Sequence, residues 1–87
     1  MDSNELRNQI DNVDDQLVKL FVERMNLSAQ IADYKKEHKL PIYVPSRERE
    51  KLQNVAKTAG EEMDNYTRVL YSMLFELRRS YQNKRNI

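Results

Sequence analysis

The chain reads as an all-α fold of three helices, and three observations predict it. Leu6, Ile10, Val13, Leu17, Leu20, Arg24, Leu27, Ile31, Tyr34 and His38 follow one another in alternating steps of four and three, the rhythm of a helix burying one seam. One Gly and two Pro among 87 residues leave a composition rich in helix formers. No segment alternates apolar and polar residues as a half-buried strand does. A chain this short makes one domain at most, read here as residues 1–87, and buries only about 60–65% of its unfolded surface.

Helix one is expected to start after Asp2 or Ser3, either of which can cap it, with Glu5 in the first turn, and to run to about His38. It is then about 50 Å long, several times the average helix. The remaining residues are too few to cover so long a seam, so a partner chain is its economical cover. Between Lys39 and Pro45 two prolines interrupt an apolar Leu-Pro-Ile-Tyr-Val stretch, a connector expected to pack over a neighbouring surface.

Helix two is expected to open with Ser46 as N-cap and to carry Glu48, Leu52, Val55 and Ala59 along its apolar side. Gly60 is placed to stop it, and Glu61, Glu62 and Asp64 suit the start of a third helix. That helix shows a main seam of Met63, Tyr66, Leu70, Met73 or Leu74, Leu77 and Tyr81. Beside it runs a second line of Tyr71, Phe75, Arg78 and Gln82. The segment from Asn83 to Ile87 is expected to fray.

Charge and cysteine usage exclude more than they identify. A net charge of +1 with 33% charged residues gives no field to attract nucleic acid broadly, despite Arg78, Arg79, Lys84 and Arg85. The absence of Cys removes disulfides and thiolate chemistry. No apolar run approaches the roughly 20 residues that span a bilayer, and the N-terminus does not resemble a secretory signal, so the expected location is cytoplasmic. With one His and no Gly-rich loop, metal, nucleophilic and phosphate-loop mechanisms lack their parts, so no metal or cofactor is expected. His38 reads as an end-of-helix residue, and Asp11, Asp14 and Asp15 as solubilising groups.

The informative irregularity is Arg24, standing where the seam calls for Leu. Lys35, eleven positions on, lies only about 20° around the helix from it, and Ser28 leaves room between them. Buried cations are costly without an anion, and the seam supplies no carboxylate. A small dianionic ligand held between them fits. A register-specifying Arg24 with Lys35 reaching out to solvent fits the spacing equally. Arg47-Glu48-Arg49 after the proline connector places one inward carboxylate between cations; charged helix starts are common, so the motif alone carries little.

Taken in order, Leu-Arg-Asn-Gln-Ile-Asp-Asn-Val-Asp from residue 6, Val-Glu-Arg-Met from 22, Tyr-Lys-Lys from 34, Pro-Ile-Tyr-Val-Pro-Ser-Arg-Glu-Arg-Glu from 41 and the late Gln82 resemble the all-helical chorismate mutases across nearly the whole chain. The resemblance implies an intertwined homodimer whose long first helix spans both halves. It also implies cofactor-free [3,3] rearrangement of chorismate to prephenate, a step toward Phe and Tyr. By the same resemblance, Arg24 and the partner's Arg7 hold the two carboxylates, with Arg47 adding positive potential. Lys35 and Gln82 donate to the ether oxygen, and Glu48 accepts from the ring hydroxyl. Arg7 lies about 26 Å along and about 100° around the helix from Arg24, so a straight helix cannot bring both to one ligand, whereas a two-fold partner can.

Two positions depart from the family pattern. Val44 stands where many relatives have Asp, which removes a polar contact near the ring hydroxyl. Arg78 stands where a small hydroxyl residue often precedes the Gln by four, either as a substitute carboxylate partner or pointing outward. Two other readings remain: an isochorismate pyruvate lyase of the same fold, disfavoured by Glu48 after Arg47, and a non-catalytic helical dimerisation or regulatory module.

Overall fold

A computed structural model describes residues 2–85. The order is α1 (Ser3–Glu37), α2 (Pro45–Ala59), a 3₁₀ turn (Glu61–Met63) and α3 (Asp64–Arg85), with no strand among the described residues. Helix α1 begins where the capping chemistry directs. The Asp2 carboxylate accepts a hydrogen bond from the Glu5 N–H at 2.9 Å, satisfying a donor that the first turn leaves open. At its other end His38 caps the helix, its ring stacked 4.0 Å from that of Tyr34. Lys39 then takes a left-handed φ of 56°. Its N–H reaches the Lys36 oxygen at 3.2 Å, and the Leu40 N–H reaches the Lys35 oxygen at 2.7 Å, the paired bonds of a Schellman ending.

Helix α2 starts two residues before the position expected from Ser46 as its cap. Pro45 takes the first helical place and Val44 the capping place without a side-chain bond. Proline's fixed φ and missing N–H suit that first position, and they win over the hydroxyl cap. Gly60, at φ 92°, ends α2 as expected, a conformation that L side chains rarely adopt. The acidic run after it forms the 3₁₀ turn rather than the first turn of α3, apart from Asp64, which bonds Arg68 at 2.5 Å. Helix α3 stays regular through Arg85, so the expected fraying at Asn83 is not found; Asn86 and Ile87 lie outside the described residues.

The chain is long and thin, 54 × 27 × 15 Å, and its radius of gyration of 16.0 Å exceeds the roughly 12 Å of a compact chain this size. Helix α3 is the hub, packing against both α1 and α2. Among the described residues the buried apolar side chains are Ala29, Ala32, Ala56 and Phe75, joined by Ser28 and Gln82. Small residues on α1 thus let α3 approach closely over the second half of that helix. The face of α3 turned inward is the second line, with Phe75 and Gln82 buried, and not the expected main seam: Tyr66 is 72% exposed and Leu70 51%. Leu6, Ile10, Val13, Leu17 and Leu20 on α1 are likewise exposed. The two seams meet in an apolar groove of about 440 Å³ lined by Leu17, Leu20, Phe21, Leu70, Met73 and Leu77 among others.

Candidate functional site

A cavity of about 340 Å³ opens where the three helices and the connector converge. The second half of α1 supplies Arg24, Ser28 and Lys35, at helical spacings that bring them to one side of the rod. The connector contributes Ile42 and Val44, the first turns of α2 contribute Arg47, Glu48 and Lys51, and α3 contributes Phe75, Arg78 and Gln82. Five cations therefore face one carboxylate around a space of small-molecule size.

Arg24 and Lys35 are held without being neutralised. Arg24 lies with its guanidinium carbon 5.6 Å from the Tyr71 ring centroid and 5.8 Å from that of Phe75, attracted to aromatic faces that leave its outer N–H groups available. Lys35 donates from Nζ to the Ile42 carbonyl at 3.3 Å, which ties the connector over the cavity and aims the ammonium group inward. Among the described residues no carboxylate pairs with Arg24, Lys35 or Arg47. Their positive potential is directed at the space between them.

Gln82, 4% exposed, donates from Nε2 to the main-chain oxygen of Ser28 at 2.8 Å. Because that oxygen only accepts, the bond fixes which end of the amide is nitrogen, and one N–H remains for another partner. The Ser28 hydroxyl is occupied locally, donating to the Arg24 oxygen at 2.8 Å. Two buried polar atoms at the cavity have no partner among the described residues, Gln82 Oε1 and Arg78 Nε. Unsatisfied buried groups carry a desolvation cost, and they sit at the lining of a site that a polar ligand would enter.

Glu48 Oε2 accepts from two arginines of α3, from Arg78 Nη2 and from Arg79 Nη1 at 2.5 Å. The direction of Arg78, open from sequence, is thereby answered. It turns into the cavity, pairs with Glu48, and lies 5.2 Å from the Phe75 ring centroid. Val44 lines the cavity as an apolar wall. Arg7 does not line it; it is exposed on the distant half of α1. Sequence reasoning missed Lys51 and Arg79. Lys51 is three positions after Glu48 and four after Arg47, so helical spacing could have found it. Arg79 carried no signal, since its neighbour Arg78 points about 100° away around the helix.

Comparison with known proteins adds to this geometry. The profile of the chorismate mutase type II family matches residues 6–83. The T-protein of Haemophilus influenzae is 39% identical over 83 residues, covering 92% of this chain and 21% of that protein. A bifunctional chorismate mutase/prephenate dehydratase of Aquifex aeolicus is 40% identical over 57 residues, 66% of this chain and 16% of the relative. The chorismate mutase of Methanocaldococcus jannaschii is 28% identical over 82 residues, 92% of this chain and 83% of the relative. The chain thus spans about a fifth or less of the two longer relatives. No solved structure matches.

Proposed function

The chain belongs to the chorismate mutase type II family, and from that premise we propose that it rearranges chorismate to prephenate in the cavity between its three helices. The observation that carries the reading is the charge arrangement. Arg24, Lys35 and Arg47 line a small cavity with no carboxylate of the described residues to pair them. A ligand with two carboxylates supplies what they lack.

The reaction breaks one C–O bond and forms one C–C bond within a single molecule, so it needs no cofactor, nucleophile or proton transfer. What this chain's residues contribute is confinement and charge. Arg24 binds one carboxylate and Arg47 adds positive potential, which favours the folded conformer in which the reacting ends meet. Lys35 and the remaining N–H of Gln82 donate to the ether oxygen, where negative charge develops as its bond breaks, so they stabilise the transition state more than the ground state. Glu48, its Oε2 held by Arg78 and Arg79, offers Oε1 to the ring hydroxyl. Arg78 stands as a second guanidinium for the ligand's carboxylates.

The second carboxylate is assigned to Arg7 of a partner chain in an intertwined homodimer. Support comes from exposure: the seam of α1 and the outer seam of α3 leave an apolar groove that a second α1 would fill. With Ala29, Ala32, Ala56 and Phe75 as its buried apolar residues, one chain alone has little core to offset its ordering entropy. Residues 1–87 are read as one helical domain of this dimer. Among the described residues no helix is long and apolar enough to cross a membrane, and a cytoplasmic location is proposed with the rest.

Loss of chorismate absorbance on adding the purified protein, followed by product identification, tests the reading. Prephenate is expected. Release of pyruvate and salicylate from isochorismate with no prephenate from chorismate would assign the lyase reaction instead, and the absence of both reactions would leave a non-catalytic module.

A further inference from the structure

We infer that Arg79 is a positioning residue of this site: by holding Glu48 from behind, it frees Arg78 to bind a ligand carboxylate. The inference rests on the reading that the cavity takes a dicarboxylate.

The geometry separates the two arginines. Both donate to the same Glu48 oxygen, but Arg78 lines the cavity, and its buried Nε has no partner among the described residues. Arg79 lies outside the cavity lining, with its guanidinium carbon 5.1 Å from the Tyr43 ring centroid in the connector. It therefore fastens α3, the start of α2 and the connector together at one point. Two guanidinium groups on one carboxylate leave an excess positive charge, and the group able to turn it toward a ligand is Arg78.

When a ligand carboxylate engages Arg78, Glu48 must still be compensated, because an unpaired carboxylate beside a dianion repels it and carries the cost of its own desolvation. Arg79 supplies that compensation. Without it, Glu48 and the ligand compete for one guanidinium, and ligand binding suffers. The ether-oxygen donors Lys35 and Gln82 are held by the Ile42 and Ser28 main-chain oxygens and not by either arginine, so the rate of the bound complex is spared. The predicted signature is a change in KM separated from kcat.

The experiment is steady-state kinetics of the wild type, Arg79→Met and Arg79→Lys with chorismate, each checked for helicity and melting temperature. Arg79→Met is expected to raise KM about tenfold, the size of one lost charge-assisted hydrogen bond, with kcat within about twofold. Arg79→Lys keeps the charge but not the fork or the ring contact, and is expected to recover most of the loss. An unchanged KM in Arg79→Met, a fall confined to kcat, or a Lys variant no better than Met would overturn the inference while the activity of the wild type stands. A wild type that forms no prephenate would remove the underlying reading and the inference with it.

Discussion

The amide nitrogen of Gln82 donates to the main-chain oxygen of Ser28 at 2.8 Å, joining α3 to α1 across 54 positions of sequence. This bond makes the site sensitive to charge at residue 82. In Gln82→Glu a carboxylate would face the Ser28 oxygen in a buried position, and burial together with that acceptor favours the protonated acid against the opposing pull of Arg24, Lys35 and Arg78 in the same lining. The folded-state pKa of the introduced carboxyl is thus raised above its unfolded value. Its contribution to stability is fully present below the ordinary Glu range and is lost as pH rises through the folded value. Turnover by this variant is expected to fall sharply at neutral pH and to recover as pH is lowered, and melting temperature should fall relative to wild type with rising pH. A pH-rate profile parallel to that of the wild type would contradict the donor role.

Lys35 combines a structural bond with a catalytic assignment, and the two can be separated. Its Nζ holds the Ile42 carbonyl at 3.3 Å, an interaction with a solvent-accessible connector. Loss of a donor aimed at developing charge costs about 10²–10³-fold in rate. Lys35→Ala is therefore expected to lower kcat by about that factor while circular dichroism shows helicity retained. A near-normal rate would remove Lys35 from the chemistry.

The long helix and its cationic interruption were legible because a seam of ten positions at a single period leaves little freedom in the local structure. Arg24, Lys35 and Ser28 come together in the cavity for the same reason, being on one rod. What sequence could not rank was the pair of adjacent stripes on α3. Tyr66 and Leu70 look more like core than Arg78 and Gln82, yet the latter pair turns inward, because the small Ser28, Ala29 and Ala32 of α1 decide which stripe can approach. That choice belongs to tertiary packing. The contact of Arg79 with Glu48 spans 31 positions and was likewise invisible to periodicity.

The exposed seam carries its own test. Leu17 is 55% exposed in the single chain, where replacement by Glu would cost within about 0.5 kcal/mol. In the proposed homodimer the same position is covered, and an unpaired carboxylate there costs several kcal/mol. Leu17→Glu is expected to shift sedimentation equilibrium toward monomer and to lower melting temperature in a concentration-dependent manner. A wild type that is monomeric at all concentrations would contradict the homodimer.

Lys39 offers a gain rather than a loss. Its φ of 56° puts a residue with a Cβ in the left-handed region, at the ending of α1 that also positions Lys35. Glycine adopts that conformation without steric cost but brings more unfolded-state entropy. The balance favours Lys39→Gly by about 0.5–1 kcal/mol, readable as a higher urea midpoint with an unchanged slope. Turnover is expected to be retained, since Lys39 does not line the cavity.

The shared-site geometry yields to complementation. Arg7→Ala and Arg24→Ala chains are each expected to be inactive as homodimers, because every site then lacks one carboxylate partner. In a heterodimer, one site draws Arg24 from the first chain and Arg7 from the second, both intact, while the other site lacks both. Random mixing at equal concentration makes half the dimers heterodimers with one of two sites complete, so about a quarter of wild-type activity is expected to return. The recovery should require subunit exchange and should therefore grow with incubation time after mixing. If Arg7 acted within its own chain, the roughly 26 Å along α1 between it and Arg24 would have to be closed by bending the helix, and mixing would restore nothing.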